Sequence, residues 1–174
     1  INSGATLIVS GGNSSATNAA LGTTAGSTTV NSGGTLAFTG GINYGIAEAV
    51  SATGTGVGAN GAIQNLAGAN TFAGTVTLGG ATTISASTGS GLTLGAVVLG
   101  GNTLTSGTAS NTGNIILSGA VSGTNGVVTA SYGTLELSNA SNSYTGATNI
   151  NSGATLIVSG GNSSATNAAL GTTA

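Results

Sequence analysis

Three short runs of alternating apolar residues follow one another within the stretch 132–161, and this spacing constrains the fold more than any other feature. The runs lie at 135–137, 148–150 and 156–158, and Asn-Ser-Gly or Gly-rich segments of the kind found in turns separate them. Neighbouring residues of a β-strand point to opposite faces, so each run can present one apolar side. Strands this short, with corners this close, indicate a chain that winds around a narrow core with one strand per side.

The chain also repeats itself. Residues 1–25 recur without change at 150–174, so the two copies begin 149 residues apart. We interpret residues 1–149 as one unit of a longer array and residues 150–174 as the start of the next; a duplicated end is the alternative. On the first interpretation the whole chain, 1–174, is a single continuous segment.

A weaker repeat lies inside the long one. The segment NTFAGTV at 70–76 resembles NSYTGAT at 142–148, and each is followed by an apolar residue, a glycine-containing turn and another strand. Repetition at this scale is the signature of a solenoid. About twenty residues per circuit of the chain around the core (a rung) predicts about seven rungs per 149-residue unit. At ~4.8 Å between neighbouring strands, one unit would rise roughly 34 Å.

The stretch 133–156 resembles a known family, the autotransporter-associated β-strand repeat (passenger-associated transport repeat). GTLEL at 133–137 corresponds to its first strand, NSYTGAT at 142–148 to its N-x-Y-x-G-x-T segment, and Ile150, Gly153 and Leu156 to the turn and second strand. The resemblance implies an all-β, right-handed parallel β-helix in a bacterial surface or secreted protein. It implies a scaffold and a location, and no chemistry.

The apolar members of the runs are predicted to face inward. They are Leu7, Val9, Val30, Leu36, Phe38, Val76, Leu78, Ile84, Leu92, Leu94, Leu104, Ile115, Leu117, Leu135, Leu137, Ile150, Leu156 and Val158. The stretch 40–70 blurs the alternation, and we assign no firm strands there.

Charge is almost absent from this chain. It has no Lys, Arg or His and only two acidic residues among 174, which excludes the cationic surfaces that bind nucleic acid or anionic lipid. Disordered chains can share its Gly enrichment, but they combine low hydrophobicity with high charge, whereas 39% of this chain is hydrophobic. An uncharged, β-rich surface tends to associate with copies of itself, so the expected partners are further copies, end to end or bundled side by side.

No apolar run reaches the ~18 residues of a membrane span, and no signal peptide is visible. We therefore predict no direct membrane insertion by this segment.

The two acidic residues, Glu48 and Glu136, are the first candidates for catalysis. They lie about four rungs apart, hence roughly 20 Å along the axis, whereas glycoside hydrolysis needs two carboxyl groups within about 5–9.5 Å. Glu136 stands between two inward leucines and is predicted to point to water. Glu48 has the same parity as its apolar neighbours, so either Ala47 and Ala49 face inward there or a bulge intervenes.

Other site chemistries lack their residue types. A nucleophilic serine needs a base such as His or Lys, zinc needs His or Cys, and a calcium β-roll needs Asp. The chain contains no His, Lys, Cys or Asp. The glycine-rich run 89–95 is not followed by Lys, so we interpret it as a corner. We predict no catalytic, cofactor-binding or metal-binding residues, and no enzyme activity.

Two binding surfaces remain open as alternatives. Tyr132, Tyr144, Phe38 and Phe72 could form a row that stacks on sugars, or the phenylalanines could be core and the tyrosines could cap corners. Thr-x-Thr occurs at 53–55, 75–77 and 103–105, as on flat ice-binding faces, but the spacings do not place the three pairs in one regular column.

These observations predict a structural, non-catalytic segment of a long extracellular fibre or cell-surface stalk. The alternative is an adhesin passenger that binds glycans or other cells. An enzyme built on a β-helix is a third possibility, but it would need acidic and basic residues that this chain lacks. Each of the first two functions places the chain outside the cell or on the bacterial surface.

Overall fold

A computed structural model describes residues 1–11, 18–161 and 169–171, and these residues form strands and turns with no α-helix among them. One 3₁₀ turn in the described part of the chain occupies Val57–Ala59. The strands, in chain order, are β1 (Thr6–Val9), β2 (Asn18–Ala19), β3 (Gly22–Thr23), β4 (Ser27–Val30), β5 (Thr35–Phe38), β6 (Asn43–Tyr44), β7 (Ala49–Gly54), β8 (Ile63–Asn65), β9 (Ala69–Phe72), β10 (Val76–Ala86), β11 (Gly91–Leu94), β12 (Val97–Val98), β13 (Thr103–Ser106), β14 (Asn114–Leu117), β15 (Val121–Ser122), β16 (Val127–Ala130), β17 (Gly133–Leu137), β18 (Thr148–Ile150) and β19 (Ala154–Val158).

The long strand β10 shows how the chain turns corners. Its first residues pair with β7 and β12, and its last residues pair with β8 and β13. The bend between the two halves falls at Gly79 and Gly80, which lie against the Thr53 side chain of the preceding rung. One strand therefore contributes to two sides of the molecule, and the corner between them is made where side chains are absent.

The strands stack on three faces. Face 1 contains β4, β7, residues 76–78 of β10, β12 and β15; face 2 contains β1, β5, β8, residues 82–86 of β10, β13, β16 and β18; face 3 contains β6, β9, β11, β14, β17 and β19. Every pairing within the three faces is parallel. The predicted parallel β-solenoid is thus confirmed, and its right-handedness stays a prediction.

The solenoid has about six rungs, one fewer than the spacing of corners predicts. On face 2, Leu7 pairs with Leu36, and Leu36 pairs with Ile63, so the first two rungs are 29 and 27 residues long. Later rungs are close to the expected length, as from Ala130 to Ile150. The early rungs are longer because they contain additional segments, namely the antiparallel hairpin of β2 with β3 and the loop around the 3₁₀ turn.

Inside the prism, side chains of successive rungs stack in columns. On face 3, Tyr44, Phe72, Leu94, Leu117 and Leu137 follow one another in register, and all five are buried. Burying one such side chain contributes about 1.5–3 kcal/mol before entropy is counted. Stacking joins these contributions along the axis, because each rung covers the apolar side of the next.

Of the residues predicted to face inward, those in the middle of the chain are buried, and the exceptions lie at the two ends. Leu7, Ile150 and Val158 are largely exposed, and Leu156 is partly buried. These side chains belong to the first and last strands, each of which has a neighbouring rung on one side only.

The first part of the stretch 40–70, where the pattern was unclear, is regular, whereas the loop around the 3₁₀ turn interrupts the alternation further on. Residues 41–50 alternate strictly between exposed and buried, with Ile42, Tyr44, Ile46 and Val50 inside. The regularity is hidden in the sequence because Glu48, a charged residue, occupies an inward position of this run.

Candidate functional site

A shallow groove lies on the outer surface of face 3. It encloses about 400 Å³ and crosses the N-terminal ends of β9, β11 and β14. Its lining residues are Ala69, Asn70, Thr71, Gly89, Ser90, Gly91, Thr93, Thr112, Gly113, Asn114 and Ile116. Hydroxyl, amide and backbone groups line it, so it can form hydrogen bonds with a neutral polar ligand.

The predicted corner at 89–95 supplies four residues to this groove. Gly89 has a positive φ of 80°, and the N–H of Ser90 donates to the carbonyl of Ser87 at 2.9 Å. The glycine-rich run is therefore a turn followed by β11, in agreement with its interpretation as a corner.

Glu48 lies inside the solenoid, which neither sequence alternative foresaw. Its side chain is 1% exposed, whereas Ala47 and Ala49 face outward and the alternation continues without a bulge. The Tyr44 hydroxyl donates to Glu48 Oε2 at 2.6 Å, and the same phenol oxygen accepts the Leu21 N–H at 3.1 Å. The buried carboxyl group therefore has a hydrogen-bond partner, because Tyr44, four positions earlier in the same run, also faces inward.

Alkaline titration should reveal this contact. Burial, and then the hydrogen bond to Glu48, raise the pKa of Tyr44 to about 12 from the ordinary value of about 10. Because the folded state holds the phenol protonated, its contribution to stability is complete below about pH 10 and is lost as the pH rises towards 12. Between about pH 10 and pH 12, we expect the urea concentration at the unfolding midpoint to fall less in Tyr44→Phe than in the unaltered chain. In Glu48→Gln the fall should span a narrower pH range, because the pKa of Tyr44 loses the contribution of the hydrogen bond to Glu48. An unchanged fall in Tyr44→Phe would contradict the assignment.

Glu136 lies on β17 and is partly exposed, with the Ser159 hydroxyl donating to Oε1. Glu48 directly precedes β7 on face 1, and β17 belongs to the same rung as β15. Between three and four strand steps therefore separate the two carboxyl groups, or roughly 14–19 Å along the axis at ~4.8 Å per step. This exceeds the separation at which two carboxyl groups can act on one glycosidic bond.

The aromatic side chains do not form a surface row. Phe38 and Phe72 are buried with ring centroids 5.6 Å apart, and Tyr44 adds a third ring 5.4 Å from Phe72. Tyr144 is buried too, and its hydroxyl lies 2.7 Å from Thr148 Oγ1. Only Tyr132, with 40% of its surface exposed, lies at a corner accessible to a ligand. The simpler of the two sequence interpretations is therefore confirmed for the phenylalanines and for Tyr132, but it is wrong for Tyr144, which lies in the core and does not cap a corner.

The Thr-x-Thr pairs lie on different faces, with 75–77 on face 1 and 103–105 on face 2. A threonine column does exist on face 2, where Thr83, Thr105 and Thr129 are in register. The loop that contains the 3₁₀ turn covers the earlier part of this face, so that Thr83 is only 8% exposed. A flat threonine surface of the ice-binding type is therefore not formed by these pairs.

Two buried asparagines, one in each copy of the internal repeat, make matching contacts. Asn70 Oδ1 accepts the Ile42 N–H at 2.7 Å, and Asn142 Oδ1 accepts the Val121 N–H at 2.8 Å, in each case from the preceding rung. Both Nδ2 groups donate to the carbonyl three residues earlier, at 2.7 and 3.1 Å. Sequence analysis used these asparagines only as repeat markers; their role is to pair backbone groups where the chain leaves the ladder.

No helix of the described part of the chain is long and apolar enough to cross a membrane. Comparison with protein-family models, with curated proteins and with solved structures finds no match to this chain. The resemblance to the autotransporter-associated repeat stays a prediction from the sequence motifs.

Proposed function

We propose that this chain is a structural, non-catalytic segment of a long repetitive fibre or stalk outside the cell, on a bacterial surface. It supplies length and stiffness, and copies of it join in a covalent array or end to end. The extracellular location rests on the family resemblance of residues 133–156. The structural role rests on the way in which the repeat continues the solenoid.

One observation carries this proposal: the second copy of the repeated segment continues the ladder of the first unit. Five residues of β19 pair in register with β17, with Leu156 opposite Leu135 and Val158 opposite Leu137. Apolar residues of the new unit therefore extend an apolar column of the old one. A chain that continued the same 149-residue repeat would lengthen along one axis, with no break in the core.

The interior supports the same role. Its polar groups, including Asn65, Asn70 and Asn142, are used to pair backbone atoms of neighbouring rungs. Uncharged residues suit such stacking, because a charge repeated on every rung would face its own copy about 5 Å away.

Electron microscopy and fibre diffraction of cell-surface material that contains the protein test the proposal. We expect thin filaments with a ~4.8 Å spacing along the axis and, at about six rungs per unit, an axial repeat of roughly 30 Å. Compact, non-filamentous particles of the native protein would contradict it.

The groove on face 3 favours an adhesin as the second candidate. Its hydroxyl and amide lining could form hydrogen bonds with a neutral sugar chain, a mode that needs no charged residue. A glycan array should then show saturable binding by this chain alone, and replacing Thr71 and Thr93 with valine should abolish it. Thr129→Val, on the outside of face 2, is the matched control.

A further inference from the structure

The two copies of the repeated segment lie on different faces of the solenoid. In the first copy, TLIV is β1 and belongs to face 2; in the second copy, the same tetrapeptide forms most of β19 and belongs to face 3. The second copy therefore begins not after a whole number of rungs but one face further around the prism.

The residues before these strands show the same shift. The N–H of Asn31, at the end of face 1, donates to the carbonyl of Ile1 at 2.9 Å. Ile150, the counterpart of Ile1, instead pairs with Ala130 at the end of face 2. The segment Asn-Ser-Gly-Ala thus turns the corner from face 1 to face 2 in one copy and from face 2 to face 3 in the other.

Each copy uses the strand edge that the other leaves open. Among the described strands, β1 pairs only with β5, which lies on the next rung, and β19 pairs only with β17, which lies on the rung before. The side chains agree with the backbone: Leu7 is 41% exposed, whereas its counterpart Leu156 packs partly buried above Leu135. Val158 is 43% exposed, whereas its counterpart Val9 is buried beside Phe38.

We propose that the open edge of β1 is the docking edge for β17 of a second copy of this unit, so that successive units advance by one face at each joint. The strand TLIV would then lie between β17 of one unit and β5 of the next. The register follows from the pairing of β19 with β17, because β1 has the same sequence as residues 155–158. Leu135, Leu7 and Leu36 would form one column, and Leu137, Val9 and Phe38 would form another.

The inference rests on the proposed structural role and adds the geometry of the joint. Six rungs and one face at ~4.8 Å per rung give a rise of about 30 Å per unit. Any groove or ladder on one face of a unit would reappear on the next face of the following unit, and would return to the original face after three units. Along any one side of such a fibre, face 1, face 2 and face 3 would therefore appear in turn from unit to unit.

The test compares equal substitutions in the two identical segments of the full chain. Leu156→Asp with Val158→Asp should unseat β19, because both carboxylates would meet the apolar column of β17. The freed edge should then accept β1 of another chain, and we expect sedimentation to show about a twofold or larger increase in weight-average mass over the unaltered chain. Leu7→Asp with Val9→Asp should leave β19 seated and show no increase. All four changes together should also give the mass of a single chain.

A proline pair repeats this comparison without added charge. Thr155→Pro removes an N–H from the last strand, and Thr6→Pro removes one from the first. Only Thr155→Pro should associate. Circular dichroism should show that the interior strands persist in each variant, because the changed strands contact the rest of the solenoid along one edge only.

Spin labels identify the face on which docking occurs. The chain has no cysteine, so single labels at Thr6→Cys in one preparation and at Thr134→Cys in another are unique. When the preparations are mixed in the Leu156→Asp/Val158→Asp background, the spectrum should broaden. A label at Asn149→Cys in place of the one at position 134 should not broaden it.

Broadening from position 149 would place β1 on face 2 and overturn the inference, although the structural role would stand. Absence of association would overturn it as well. Association through position 134, with native material that is not filamentous, would instead count against the structural role alone.

Discussion

Replacing Leu94 with aspartate is expected to destroy the middle of the solenoid. The side chain is fully buried on face 3 between Phe72 and Leu117 of the adjacent rungs. A carboxylate there would have no cationic partner, because the chain contains no Lys, Arg or His. Burying an unpaired charge belongs to the small class of substitutions that cost more than about 4 kcal/mol. Chemical unfolding followed by circular dichroism should show this loss.

Thr93→Asp is the matched control, since Thr93 precedes Leu94 on the same strand and faces the outer groove. Its effect should stay within about 0.5 kcal/mol, as for surface substitutions in general. Acidification separates the two variants further. Because the aspartate at position 94 would be easier to bury when protonated, that variant should recover stability as the pH falls, whereas the control should not. Equal effects at the two positions would contradict the assignment of inside and outside on β11.

The alternation of residues was sufficient to predict which side chains of the central strands form the core, because burial alternates with a period of two in any strand. It could not predict the number of faces. Glycine corners look alike in sequence, yet Gly79 and Gly100 connect face 1 to face 2, Gly119 connects face 3 to face 1, and Gly153 connects face 2 to face 3. Which strand lies above another depends on the length of a whole rung, and the loops between strands set that length.

Glu48 shows how residue chemistry can mislead where periodicity is right. The run Ile42, Tyr44, Ile46, Glu48 and Val50 keeps its period in sequence, and the structure buries all five side chains. The carboxyl group argued against an inward position because burial of an isolated charge is costly. The compensating contact comes from Tyr44 in the same run, so a tyrosine at matching parity was the available signal.

The candidate site was less predictable than the fold. The groove on face 3 is built from three successive rungs, with Thr71, Thr93 and Ile116 side by side in register. These residues are 22 and 23 positions apart in sequence, and they belong to no shared motif. Their proximity follows only from the rung register, which the sequence does not specify.

The glycine of the internal repeat is required by packing and not by its backbone conformation. Gly74 and Gly146 occupy equivalent positions in the two copies. Neither has a positive φ. A Cβ at Gly74 would instead collide with the Glu48 carbonyl oxygen and lie 2.5 Å from Phe72 Cζ, and one at Gly146 would collide with the Gly126 carbonyl. The requirement is close approach of one rung to the backbone of the rung before.

Gly74→Ala should therefore cost about 3 kcal/mol or more, because the obstacle is a backbone carbonyl that cannot rotate away. For a chain of this size that corresponds to a fall of about 6–12 °C in Tm by circular dichroism. Gly91→Ala is the matched control: it has no positive φ, and its Cβ would meet Asn114 at 3.8 Å, an ordinary contact. Gly89→Ala isolates the other cause, since that residue has a φ of 80° and open space around it, and should cost about 1–2 kcal/mol. If Gly74→Ala proved no more damaging than Gly91→Ala, the close approach of neighbouring rungs would not explain why the repeat has glycine at this position.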